Sequence, residues 1–328
     1  MLDKFKGCLV GLAIGDALGA PVKFLSQEGI KEEFGQTGIL DFEPWGNLHP
    51  GSFTANTELA LMTAEGCLRA YQVLLHKGKS NPAALIYERY LEWMKEVEKA
   101  KTLRHPDYQT LRALKSERMG TIEFPISESK GCGALARVIP AGLSFPPDMA
   151  FREGAEYAAI THGHPSGYLP AGFIAEVVAH ILIGEGIISA VKSSLEKLKE
   201  YEAHNDTLSR VNEALKMSLD QHETQGKIES IGEGWEAAEV LAASIYFSIR
   251  FSTDFKGGTL AAVNNSSDSS TLGALTGALL GVYLGIDSIP KHWVQKIEKS
   301  RFILEIAEDM FLAFKKGESP SIEKYPLD

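Results

Sequence analysis

The sequence predicts an all-α fold, a compact single-domain helical bundle over residues 1–328. Three observations predict it. Apolar residues recur at helical spacing along most of the chain, alternating strand-like runs are scarce, and two glycine ladders mark helices packed backbone to backbone.

Taken in order, the periodicity predicts helices at 2–18, 57–76, 81–99, 108–116, 133–142, 148–160, 168–184, 186–201, 206–221, 234–250, 256–263, 271–284, 290–297 and 300–315. Turns marked by glycine and proline join them, as at Ser144-Phe145-Pro146-Pro147 and His164-Pro165-Ser166-Gly167. Residues 27–52 read as one long irregular piece, with Gly38 to Phe42 the single short strand candidate. The ladders are Gly7, Gly11, Gly15 and Gly19 near the start, and Gly273, Gly277, Gly281 and Gly285 near the end. A spacing of four puts each set on one helix face, where a second backbone can approach closely. Each interior glycine costs about 1 kcal/mol of helix propensity, so two ladders imply tight packing in return.

Hydrophobic residues make up 44% and charged residues 23%, the balance of a globular protein with a real core. A formal net charge of −10 argues against a nonspecific nucleic-acid binder. Cys8, Cys67 and Cys132 form neither a disulfide framework nor a metal pair. The opening Asp3, Lys4 and Lys6 lead into a run holding Asp16, which does not read as a signal peptide, and no apolar stretch reaches the ~18 residues of a membrane span. A cytoplasmic protein without a membrane partner is expected.

Two polar clusters open helices. Thr54-Ala55-Asn56-Thr57 precedes one, with Thr54 or Asn56 able to cap it, and Asn264 through Thr271 precedes another, with Asp268 a plausible cap. Oxygen side chains at such edges can converge on a cation. Ser129-Lys130-Gly131-Cys132-Gly133-Ala134 reads as a glycine-bearing turn into a helix, whose N–H groups suit a pyrophosphate. His162 and His164 form a pair with no further zinc ligands at recognisable spacing. Trp235 reads as a core anchor and Trp45 as the more exposed aromatic residue.

Together, Lys6-Gly7-Cys8 through Gly15-Asp16 to Pro21, Thr63-Ala64-Glu65-Gly66, Gly131 through Pro140, Thr161-His162-Gly163-His164-Pro165, Gly232-Glu233-Gly234-Trp235 and the Asp268 cluster resemble the ADP-ribosylglycohydrolase family, in the family's order. The resemblance implies an all-α bundle around two divalent cations, usually magnesium, that hold the terminal ribose of ADP-ribose and a water for hydrolysis of an N-glycosidic bond. Carried over by position, the metal-site remnant is Thr54, Asn56, Asp268 and Thr271. Ser129, Gly131, Cys132, Gly133, His162, His164 and Lys23 fall on the substrate side, and Asp268 is the catalytic candidate. Cys132 stands where the family has Cys or Asn, and is expected to pack rather than react.

Four positions depart from the family's pattern. Ala55 and Asn56 stand where an acidic pair belongs, Ser270 replaces a second acid, and Lys23 replaces a glutamate. Hard cations bind chiefly through carboxylate charge, and Asp268 alone remains among the matched acids. An inward Lys23 would repel metal by roughly 3 kcal/mol per unit-charge pair at ~6 Å, or would neutralise Asp268 directly. The expectation is therefore no cofactor, or at most one magnesium, and a two-metal hydrolysis absent or badly impaired. Three functions follow. The first is an impaired relative that binds ADP-ribose or an ADP-ribosylated protein. The second is a working hydrolase using one cation or none, with Asp268 as base, and the third is a scaffold that keeps only the fold.

Overall fold

The computed structural model describes residues 1–100, 104–220 and 232–327. Among them the chain forms fifteen α-helices and no strand. These are α1 (Leu2–Gly19), α2 (Gln27–Phe34), α3 (Ala55–Lys77), α4 (Pro82–Ala100), α5 (Tyr108–Lys115), α6 (Ile139–Ser144), α7 (Pro147–Ala159) and α8 (Pro165–Leu182). The second half adds α9 (Ile187–Leu198), α10 (Asn205–Leu219), α11 (Ala237–Arg250), α12 (Phe255–Val263), α13 (Ser269–Leu284), α14 (Lys291–Lys296) and α15 (Ser300–Lys316). The expected helix at 206–221 is α10, and residue 221 lies outside the described residues.

At the centre, α1 and α13 run antiparallel with their glycine faces together. A Cβ on Gly7, Gly11, Gly15 or Gly19 would strike the backbone carbonyl of Gly281, Gly277, Gly273 or Ser269 respectively. The fourth rung differs from the expected ladder. Gly285 ends α13 at φ +83° as its C-cap, and Ser269 pairs with Gly19 instead. This contact brings the C-terminal end of α1 beside the N-terminal end of α13, which is the fold's main service to the site. α11, α12 and α15 pack on this pair, and α3/α4, α7/α8 and α10/α11 are the neighbouring helix pairs. One continuous hydrophobic cluster takes residues from Phe5 to Tyr325.

Four expectations are corrected. Residues 27–34 form a helix inside the piece expected to be irregular: Ser26 accepts the Gly29 N–H as N-cap, and Ile30 buries itself in the core. The expected helix at 133–142 breaks into the 3₁₀ turns Cys132–Ala134 and Ala136–Val138 followed by α6, because Pro140 has no N–H to give and its ring would crowd the carbonyl four residues back. Leu2–Val22 is, by length and composition, apolar enough to cross a membrane, contrary to expectation, with 89% of its apolar window buried inside the protein. Gly38 to Phe42 forms no strand.

Candidate functional site

Three chain segments meet where α1 ends. Lys23 follows the 3₁₀ turn after α1, Thr54 caps α3, and Asp268 caps α13. Lys23, Thr54, Asn56, Asp268, Ser270 and Thr271 are all buried.

Asp268 is the centre of the cluster. Its Oδ1 accepts the Thr271 N–H at 3.1 Å and the Ser270 hydroxyl at 2.9 Å. Its Oδ2 meets Lys23 Nζ at 3.0 Å and the Cys132 thiol at 3.5 Å. Burial works against the charge, but Lys23 and the donated hydrogen bonds outweigh it and hold the Asp268 carboxyl below the usual carboxylate range. Burial likewise opposes the Lys23 charge, and Asp268 outweighs it, raising the ammonium above the usual lysine range. The pair is thus a buried ion pair across the neutral range. Burial and the Asp268 charge push the Cys132 thiol far up, as expected of a cysteine that packs rather than reacts.

The N-terminus of α3 is closed by hydrogen bonds. Asn56 Nδ2 donates to Ser270 Oγ at 3.2 Å and Thr271 Oγ1 at 3.1 Å, joining α3 to α13. Thr54 Oγ1 accepts the Asn56 N–H at 3.1 Å and donates to Asp16 Oδ1 at 2.7 Å. Asp16 Oδ2 also takes the N–H groups of Thr54 and Thr57 at 3.0 Å and the Thr57 hydroxyl at 2.7 Å. Burial pushes the Asp16 carboxyl up to about 6 against these four donors. Asp16 was not among the sequence candidates, although an acid in the middle of an apolar glycine-ladder helix is a signal that could have found it.

The glycine turn reaches Asp268 through Cys132, and two of its amides have partners within the protein. The Gly131 N–H goes to Ser129 Oγ at 3.2 Å and the Cys132 N–H to the Trp235 carbonyl at 3.2 Å. It leads into a three-residue 3₁₀ turn rather than the expected helix. Gly133 lies against Asp107, which caps α5 through the Thr110 N–H at 2.7 Å. His162 is fully buried beneath this turn, with Nδ1 2.7 Å from Thr161 Oγ1 and Nε2 3.4 Å from Asp107 Oδ2. His164 caps α8, its Nδ1 accepting the Ser166 N–H at 3.0 Å. Of the two histidines expected on the substrate side, His162 thus lies beneath the turn and His164 at the start of α8. Asp107 and the buried Arg137, which donates to Thr161 Oγ1, were missed because nothing near them in sequence names their partners.

Four rings cover the cluster. Trp45 stacks on His105 with centroids 4.8 Å apart, His105 meets Phe24 edge-on at 5.3 Å, and Phe24 stacks on Trp235 at 6.1 Å. The expected exposures are reversed: Trp45 is 8% exposed, with its indole N–H on the Ser52 carbonyl, whereas Trp235 is 44% exposed. Glu239 explains the second, because its carboxylate accepts the Gly234 N–H and, with Glu236, forms a capping box at the start of α11. That holds the 232–236 turn in place, sends Trp235 outward and directs the Gly234 carbonyl to the Asp268 N–H at 3.0 Å. The Arg104 carbonyl accepts the Ala55 N–H at 2.8 Å, so the segment carrying His105 lies over the start of α3.

A family profile described as ADP-ribosylglycohydrolase matches residues 1–320. This chain belongs to the ADP-ribosylglycohydrolase family. An ADP-ribosyl-[dinitrogen reductase] glycohydrolase of Rhodospirillum rubrum is 30% identical over 90% of each chain. An ADP-ribosylarginine hydrolase of Serratia proteamaculans is 25% identical over 94% of this chain and 79% of its own length. A solved structure titled ADP-ribosylglycohydrolase-related protein complex superposes with a TM-score of 0.72 at 25% identity, covering 94% of this chain and 97% of that one. The fold and the family expected from the sequence are therefore both established, and an ADP-ribosylglycohydrolase-type function is supported.

Proposed function

We propose that this protein binds ADP-ribose, or a protein carrying it, at the site built around Lys23 and Asp268, and that hydrolysis there is weak or absent. The observation that carries the reading is the Lys23–Asp268 ion pair at 3.0 Å. Two divalent cations bring four positive charges, and oxygen-rich, anionic ligand sets hold them. Among Thr54, Ala55, Asn56, Asp268, Ser270 and Thr271 the only carboxylate is Asp268, and Lys23 already neutralises it. Thr54 Oγ1 is committed to Asp16 and the Asn56 amide, and Asn56 turns donors, not lone pairs, toward Ser270 and Thr271. This donor set does not fit a magnesium pair. Asp268 is also poorly suited to act as a general base. Lys23 and its other donors hold its pKa low, far from the value that makes a good proton acceptor near neutrality.

On this reading Lys23 supplies one fixed positive charge at the site in place of mobile ones. The test has two arms. ADP-ribose should raise the melting temperature, since a ligand specific to the native state stabilises it by about 2.7 kcal/mol at a hundredfold excess over Kd. Incubation with ADP-ribosylarginine, the substrate named for the Serratia relative, should release no ADP-ribose. Turnover that Asp268→Ala abolishes would overturn the loss of hydrolysis. A melting temperature indifferent to ADP-ribose would leave only the scaffold reading.

A further inference from the structure

A cavity of about 550 Å³ opens between α2, the loop after it, α11 and α12, with Asn264 and Asn265 at one edge. Its size falls within the range of small-molecule sites, ~300–1,000 Å³. Phe247, Phe251 and Leu260 form an apolar floor, and Leu40, 55% exposed, overhangs it. Leu40 is held there by its neighbour Ile39, whose N–H and carbonyl pair with the Asn264 side-chain amide at 2.7 and 2.9 Å. The polar groups gather at the rim. Gln27 Nε2 donates to Asn265 Oδ1 at 3.1 Å, and Lys31 makes no ion pair among the described residues. Lys31 is the one cation among the residues that line the cavity.

We propose that this cavity binds a small amphipathic anion, an apolar ring or chain ending in one carboxylate or sulfonate. The apolar body lies on Phe251 and Leu260 under Leu40, and the anionic head meets Lys31 and the Gln27–Asn265 amides. Gln27 follows Lys23 by one short segment and Asn265 precedes Asp268 by another, so an occupant touches both arms that carry the buried ion pair. The inference stands independently of ADP-ribose binding.

The test uses the full chain and anilinonaphthalene sulfonate, titrated by fluorescence and calorimetry well below the melting temperature, with decanoate as competitor. Saturable one-to-one binding is expected, displaced by decanoate. Lys31→Glu and Leu40→Glu change exposed side chains and should leave the melting temperature in place. Each should weaken binding by about tenfold or more, Lys31→Glu by setting a like charge beside the anionic head and Leu40→Glu by setting a charge against the apolar body. Absence of saturable binding, or an affinity that survives both substitutions, overturns the proposal.

Discussion

The two ends of the α1/α13 pair solve opposite problems with the same two helices. At the Gly7–Gly281 end and through Gly11 and Gly15, glycine faces meet backbone to backbone with no side chain between them. At the other end the same antiparallel contact delivers Lys23 and Asp268 to 3.0 Å, surrounded by hydroxyls, an amide and a thiol. The glycine contact depends on shape and tolerates nothing larger. The polar end depends on charge balance, which Lys23 meets at Asp268. Under the proposed function, carboxylates could be lost from the second region without disturbing the first.

The largest effect should come from the glycine contact. Gly15→Ala places a methyl against the Gly273 backbone, which has no rotamer to yield, and should exceed the ~3 kcal/mol upper end of ordinary overpacking or prevent folding altogether. Denaturant titration checks it, and a loss under ~1 kcal/mol would mean that the helices can part. Next, Lys23→Met strands a buried carboxylate and should cost about 3–5 kcal/mol at neutral pH. The sign with pH follows from the two shifts. Asp268 is lowered, so its contribution is present above the usual carboxylate range and lost as pH falls through its folded value. Lys23 is raised, so its contribution is present below the usual lysine range and lost as pH rises through its folded value. The destabilisation of Lys23→Met should therefore narrow in acid, where the stranded Asp268 takes up a proton. Adding Asp268→Asn should recover most of it, and a double variant as unstable as the single one would place the energy elsewhere.

A smaller loss, about 2 kcal/mol, is expected for Asp16→Asn, whose amide nitrogen faces donors where a carboxylate oxygen accepted them. The smallest concerns the cover. Trp235→Ala should change stability by no more than about 1 kcal/mol, since the ring is half-exposed, and melting curves of the two proteins should nearly overlay.

What could be read from the sequence follows the same division. Glycine spacing is a local property, so both ladders were legible as faces open to a close backbone, as were the caps Thr54 and Asp268. The fourth rung was not, because Gly285 keeps the spacing but sits past the helix end at positive φ. Lys23 was legible as a position facing Asp268 only through resemblance to a family pattern, since 245 residues separate them. Asp16 as the clamp on α3, Asp107 against Gly133, and His105 between Trp45 and Phe24 depend on contacts between distant segments that spacing does not encode. The exposures of Trp45 and Trp235 failed for a related reason. The Ser52 carbonyl and the Glu239 carboxylate decide them, and neither announces itself as a tryptophan's neighbour or support.

Calorimetric titration of magnesium into this chain, and into one carrying Lys23→Glu, Ala55→Asp, Asn56→Asp and Ser270→Asp together, goes most directly to the proposed replacement of cations by Lys23. The native chain should give only heats of dilution, and the substituted chain saturable binding. Stoichiometric, saturable magnesium binding by the native chain would contradict it.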